Sequence, residues 1–151
     1  MNSPYPIRHA TLDDAPVLAR QNVAMALETE GLALDYAVTL RAVTRILTQP
    51  ALGQYWVMAD GPTRCCRLFI TYEYSDWRDL PYWWIQSVYT EPAYRGQGCY
   101  KALYAHVLAA AQAAGAGSVR LYVAQDNAAA LRTYAQLGMA VGHYVVAQQD
   151  F

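Results

Sequence analysis

Between Tyr89 and Tyr100 the chain reads Tyr-Thr-Glu-Pro-Ala-Tyr-Arg-Gly-Gln-Gly-Cys-Tyr, with Arg95-Gly96-Gln97-Gly98 as a turn between a strand and a helix. The chemistry open to such a turn is anion binding. Free backbone N–H groups at a helix start point outward, and the helix dipole adds roughly half a positive charge. Glycine lets the backbone approach a phosphate with no Cβ in the way. Two known phosphate loops compete for this reading. A Walker loop, G-x-x-x-x-G-K-[ST], is absent. A Rossmann fingerprint, G-x-G-x-x-G, is met only as Gly96-x-Gly98-x-x-Lys101, without the third glycine that lets helix pack on strand. Asp126, after the next strand, would stand where that fold needs a ribose-binding acid, so a small nucleotide-binding domain stays open on the loop alone. Cys99, at the same helix start, would be a nucleophile of lowered pKa only with a base beside it, and no histidine is near in sequence.

A second pair of residues lies downstream. Asn127 and Tyr134 are seven residues apart, which puts them on one helix face two turns from each other, with Asn127 at the N-cap. By itself the pair reads as a cap and a core aromatic. The three histidines, His9, His106 and His143, are far apart and show no metal spacing, so no metal is expected.

Together these motifs resemble the GCN5-related N-acetyltransferases. Their acyl-CoA loop is Q/R-x-x-G-x-G/A: Arg95 fills the first position and Gly98 the middle glycine, while Tyr100 replaces the final small residue. Their later helix is N-x-x-A-x-x-x-Y-x-x-x-G-F, met here by Asn127, Ala130, Tyr134 and Gly138, with Met139 in place of phenylalanine. The resemblance implies that the backbone of Gly96, Gln97, Gly98, Cys99 and Tyr100 holds the pyrophosphate of acetyl-CoA, with Arg95 supporting the loop. It implies that Asn127 contacts the pantetheine arm and that Tyr134 stands beside the thioester sulfur as general acid. A phenol of ordinary pKa near 10 can protonate a departing thiolate. A strand N–H near Val88 or Tyr89 would polarise the carbonyl. The acceptor is then a primary amine of a small molecule or a protein, attacking directly in a ternary complex. A non-catalytic acyl-CoA-binding or sensing module on the same fold is the alternative.

An amine of pKa near 10 is only about a thousandth neutral at pH 7, so a base or a water relay helps. The strand glutamate that some family members use maps near Tyr82, so that carry-over fails. Glu73, on the adjacent strand, is the first candidate; Glu28 and Glu30 follow, because the segment between the first two helices lines the acceptor cleft in this fold. Surface charge or capping explains all three equally well. Tyr72, Tyr74, Trp77, Tyr82, Trp83 and Trp84 crowd the same region, suiting either a cationic acceptor, a packed core or a dimer interface.

The elements that must position these residues follow from hydrophobic periodicity and breakers. Strands are expected at Tyr5–Ala10, Gln54–Ala59, Arg67–Tyr74, Tyr82–Tyr89, Val119–Ala124 and Met139–Ala147. Helices are expected from Thr11 to Leu27, Tyr36 to Thr48, Cys99 to Ala114 and Asn127 to Leu137. The order β-α-α-β-β-β-α-β-α-β gives an α/β fold with a mixed α+β sheet, the acyl-CoA N-acyltransferase architecture implied by the resemblance. Residues 1–151 make one domain, long enough to bury about two-thirds of the surface of its unfolded chain. A net charge of −1 with a single lysine gives no bulk attraction for nucleic acid or anionic membrane. No apolar run approaches the roughly 20 residues of a membrane span. The N-terminus lacks the order of a secretion signal, and three cysteines, two of them adjacent, fit a reducing cytoplasm. The fold and the many aromatics allow a homodimer.

Overall fold

A computed structural model of the protein describes residues 3–151. Five strands, β1 (Ile7–His9), β2 (Gln54–Asp60), β3 (Thr63–Ser75), β4 (Leu80–Thr90) and β5 (Val119–Leu121), form one sheet in sequence order. The first four pair antiparallel; β5 pairs parallel with β4. A parallel neighbour needs a crossover, which helix α3 (Cys99–Ala113) supplies. Helices α1 (Ala15–Glu30) and α2 (Tyr36–Thr48) cover part of the opposite face.

Breakers fix these bounds. Gly31 adopts a left-handed φ of 62°, and the N–H groups of Gly31 and Leu32 close the end of α1 on Leu27 and Ala26. The Asp35 carboxylate accepts the Val38 N–H at 3.0 Å and starts α2. Only Val43 of α2 is fully buried, flanked by Leu40, Ile46 and Leu47; Val38 is exposed.

Two apolar clusters fill the space on the two faces of the sheet. One joins Trp56, Met58, Leu68, Ile70, Trp83 and Ile85 to Leu103 and Val107 of α3. The other joins Tyr55 and Val57 to Leu18, Ala19 and Val43. Cys65, Cys66 and Cys99 are all free and buried in the first cluster. Burial pushes the Cys65 and Cys66 thiols up to about 11.

Asp14 is the buried anchor of the N-terminal segment. Its carboxylate accepts two bonds from Arg8, at 2.7 and 3.1 Å, one from Arg64 Nε at 2.6 Å and one from the Thr11 N–H at 2.8 Å. Burial alone would raise its pKa, but these donors and the Arg8 charge hold it well below the usual carboxylate range.

One expected element is absent. Met139–Ala147 forms no strand: nothing after α4 (Ala128–Gln136) has regular structure, and every residue from Ala140 to Phe151 is exposed. The segment has the β-branched composition of a strand, but no edge of the sheet is paired with it. Strand β5 is likewise shorter than the expected Val119–Ala124, because pairing with β4 stops at Leu121.

Candidate active site

That early stop creates the opening on which the site is built. Trp83–Ile85 pair with Val119–Leu121, but β4 runs on to Thr90, still paired only with β3. One edge of residues 86–90 therefore has no strand neighbour and presents main-chain groups to whatever lies between β4 and the chain after β5. A bulge marks the same place. Phe69 faces Ser87 and Ile70 faces Ile85, which leaves Gln86 as the extra residue, its amide bonded to Thr71. Val88 and Tyr89, the expected carbonyl-polarising positions, lie on this open stretch, Val88 half-buried and Tyr89 buried.

Arg67 braces the stretch from behind, and sequence reasoning did not single it out. It is 0% exposed and donates to Ser87 Oγ and Asn22 Oδ1, each at 2.5 Å, joining β3, β4 and α1. No carboxylate pairs with it among the described residues, and its Nε has no hydrogen-bond partner. Burial lowers its pKa. The available signal was a lone charge inside the apolar run Cys65–Ile70.

The loop after β4 has the conformation that its glycines allow. Gly96 and Gly98 sit at φ 76° and 79°, and Gly98 is the N-cap of α3. The first backbone bond of α3 is Ala102 N–H to the Gly98 carbonyl at 3.0 Å, and no described backbone bond uses the N–H groups of residues 96–101. These donors lie together at the positive end of a 15-residue helix, a cradle for a diphosphate. Arg95 does not point away into water. It donates to the Thr90 carbonyl and to Glu28 at 2.8 Å, and lies 5.6 Å from the centre of the Tyr89 ring. Burial, then Glu91 and Glu28, push the Tyr89 phenol up, with Arg95 opposing.

Helix α4 brings up the second pair. Asn127 is its N-cap, with Oδ1 accepting the Ala130 N–H at 3.0 Å, so its amide N–H₂ stays available. Tyr134 is half-buried beside Tyr100. The Tyr100 hydroxyl is buried without a hydrogen-bond partner. Burial and the neighbouring Tyr134 and Tyr104 phenols push its pKa far up. The one irregular position of the loop thus reaches the phenol expected to act as the acid.

The candidate bases fare differently. Glu73 lies opposite Tyr82, seven positions along β4 from Tyr89, and its carboxylate is bonded to Arg120 at 2.9 Å. At about 3.3 Å per residue it is not brought to the open edge. Glu28 is held by Arg95, close to the loop. Glu30 ends α1 and is exposed. The aromatic seat expected for a cationic acceptor is filled from within: Arg120 lies 3.9 Å from the Tyr82 ring centre and 5.9 Å from that of Trp84, which stacks on Tyr122. Trp83 turns to the other face and is buried, while Tyr74 and Trp77 are exposed. Among the described residues no group of histidines, cysteines and carboxylates could hold a metal ion. No described helix is long and apolar enough to cross a membrane.

The family model for the acetyltransferase (GNAT) family matches residues 26–139, from the end of α1 past the glycine loop to α4. The chain belongs to this family. Among solved structures, this GNAT domain is similar to a possible acetyltransferase from Clostridium difficile 630. The two share 33% identity over 97% of each chain, with a TM-score of 0.92. It also shares its fold with an integron cassette protein from the Cole Harbour Salt Marsh metagenome. That match has 22% identity, covers 95% of this chain and 89% of the other, and has a TM-score of 0.83. A third fold relative is a ribosomal-protein-alanine N-acetyltransferase from Brucella melitensis biovar Abortus 2308. It has 15% identity, 97% and 98% coverage, and a TM-score of 0.75. No curated protein matches the chain. The mixed sheet, the crossover through α3 and the helices on both faces are the acetyltransferase fold that these relatives share.

Proposed function

We propose that this GNAT domain transfers an acetyl group from acetyl-CoA to a primary amine by direct attack in a ternary complex. The observation that carries the proposal is the set of unused N–H groups of residues 96–101, placed at the start of α3 beside the unpaired edge of β4. The loop holds the pyrophosphate through these donors, and Arg95 keeps the loop against Thr90. The pantetheine arm lies along residues 86–90, where its amides meet main-chain groups as a neighbouring strand would. The Asn127 amide donates to the arm.

The amine nitrogen attacks the thioester carbonyl carbon, and an N–H of Val88 or Tyr89 stabilises the oxyanion. The C–S bond breaks as the intermediate collapses, and the thiolate takes the Tyr134 proton. The acceptor's surplus proton leaves through water towards Glu28 or Glu30 at the end of α1. Glu73 serves as the partner of Arg120 rather than as the base.

The test follows released thiol while acetyl-CoA is mixed with a panel of small amines and peptide N-termini. Release above the rate of hydrolysis with at least one amine is expected. Tyr134→Phe should lower turnover by about 10²–10⁴ with unchanged CoA affinity; full turnover in that variant would remove the acid role. The ion-paired state of Glu73 and Glu28 favours a second reading, a non-catalytic acyl-CoA-binding module. That reading predicts CoA binding with no thiol release across the whole panel. Calorimetry with CoA and NAD separates both from a nucleotide-binding domain.

A further inference from the structure

The carboxylates around the open stretch of β4 are engaged, and the buried charge behind it is a cation. Glu73 holds Arg120, Glu28 holds Arg95, and Glu91 accepts the Gln21 amide at 2.8 Å. Glu30 lies at the end of α1, two turns beyond Asn22, and is exposed. Arg67 is fully buried among neutral groups. From α1 it meets Asn22 Oδ1 at 2.5 Å and Met25 Sδ at 3.8 Å, from β2 the Tyr55 ring at 5.9 Å, and from β4 Ser87 Oγ at 2.5 Å. Asn22 donates in turn to the Tyr55 hydroxyl at 3.1 Å, so the network ends on a phenol and not on a carboxylate. Neighbouring Cys66 and Tyr89 are a thiol and a phenol that burial keeps protonated. The Arg67 Nε has no partner. A guanidinium does not shed its proton in a protein, so this charge is permanent and uncompensated.

Ser87 carries that charge towards the reaction centre. It is peptide-bonded to Val88, and the N–H of Val88 or Tyr89 holds the thioester oxygen in the function proposed above. The guanidinium bonded to Ser87 therefore stands within roughly 10 Å of the attacking nitrogen. At an effective dielectric of about 20, two positive charges at that range disfavour each other about tenfold. One lone pair of the Ser87 hydroxyl is taken by Arg67, and no other bond to it exists among the described residues. An ammonium donating to the remaining pair would set two cations on one oxygen. The aromatic faces that could seat an ammonium are occupied as well, since Arg120 lies 3.9 Å from the Tyr82 ring centre.

We propose that Arg67, acting through Ser87, makes the cleft admit its acceptor only as the neutral base. It thereby selects weakly basic amines, such as an α-amino group beside an amide, over strongly basic alkyl amines. Arg67 is a positioning residue here: it sets the protonation state of what docks and does not touch the reacting atoms. The proton of the free ammonium is lost to bulk water before docking, and the nitrogen keeps its lone pair for the thioester carbon. At pH 7 about a tenth of an α-amino group is neutral, against less than about a thousandth of an alkyl amine. That difference favours the weaker base by about 100-fold before any contact is made. A cleft that works this way needs no carboxylate to strip an ammonium, in keeping with the engagement of Glu73 by Arg120.

The inference rests on the acetyl-transfer reading, and the test separates the two. Glycinamide and isobutylamine have nearly the same shape and differ in basicity by about 100-fold. Calorimetry of each with the CoA complex at pH 7, in buffers of different ionisation enthalpy, counts the protons released on binding. Isobutylamine should release close to one proton, its affinity should rise about tenfold per pH unit, and glycinamide should bind about 100-fold tighter. Arg67→Gln should narrow that preference about tenfold, and Arg67→Lys should keep it; a merely structural role would weaken both amines alike. If Arg67→Gln does not fold, the proton count in the natural chain decides. Binding of isobutylamine without proton release, or an unchanged preference in folded Arg67→Gln, would overturn the inference, while thiol release in the same chain keeps the acetyl-transfer reading. Absence of both amine binding and thiol release would overturn the two together.

Discussion

Asp14 is where a single proton most affects this molecule. Its folded pKa lies below the value near 3.9 of an unfolded aspartate, so its contribution to stability is complete above about pH 5. That contribution is lost as the pH falls through 4 towards the folded value. Asp14→Asn removes the charge and turns one of the two oxygens shared by Arg8, Arg64 and the Thr11 N–H into a donor, and should cost about 3 kcal/mol at pH 7. Denaturant titrations at pH 7 and pH 3 check this; the gap between the variant and the natural protein should narrow at the lower pH. Tyr100 gives a contrasting case. Tyr100→Phe removes a buried hydroxyl that has no partner, so stability should hold or rise by about 1 kcal/mol. At this scale the sequence was readable in placement: Gly98 caps α3 at φ 79°, and Tyr134 lies on α4 beside Tyr100. It marked Arg67 only as a lone charge in an apolar run, because a strand's period of two says which face a residue takes, but not that Asn22 and Ser87 will meet it there.

Element by element, the helices were legible because breakers delimit them: Gly31, Pro50, and the Gly98 and Gly115 that flank α3. Five of the six expected strands exist, but strand extent was not legible. β3 starts at Thr63, directly after the tight turn at Gly61, rather than at Arg67, since the hairpin ladder continues to the turn. The bulge at Gln86 and the parting of β4 from β5 after Leu121 arise from pairing between distant segments, which no local pattern encodes. The final strand shows the same limit. β propensity describes a segment's fitness to pair, not whether an edge awaits it. The glycine loop yields a direct prediction. A Cβ at Gly98 would meet no atom within 4 Å, so Gly98→Ala is costly only through its φ of 79°. About 1–2 kcal/mol is expected. Stability by denaturation should fall by that amount if the loop keeps its shape. CoA affinity by calorimetry should fall instead if the loop relaxes to avoid the strain.

For the molecule as a whole, the sequence order of elements was enough for the mixed sheet and its crossover. This sheet, whose neighbours follow chain order, needs the helical connection between β1 and β2, two hairpins and one βαβ unit. A ligand that binds the folded loop alone must stabilise the entire chain. CoA at about 100-fold over its Kd adds about 2.7 kcal/mol, which for a domain of this size raises Tm by roughly 5–10 °C. NAD at the same concentration should leave Tm unchanged; an equal rise would return the loop to the nucleotide-binding reading.

The burial of Cys65, Cys66 and Cys99 gives the protein a built-in reporter. With all three sulfurs sealed beneath α3, and two of them kept as thiols at neutral pH, a thiol-reactive dye sees nothing of the folded chain. The colour that develops during turnover therefore counts CoA alone. Once the core opens, three further equivalents per chain should react in a single burst. The same cuvette then reads catalysis below the melting temperature and loss of the fold above it.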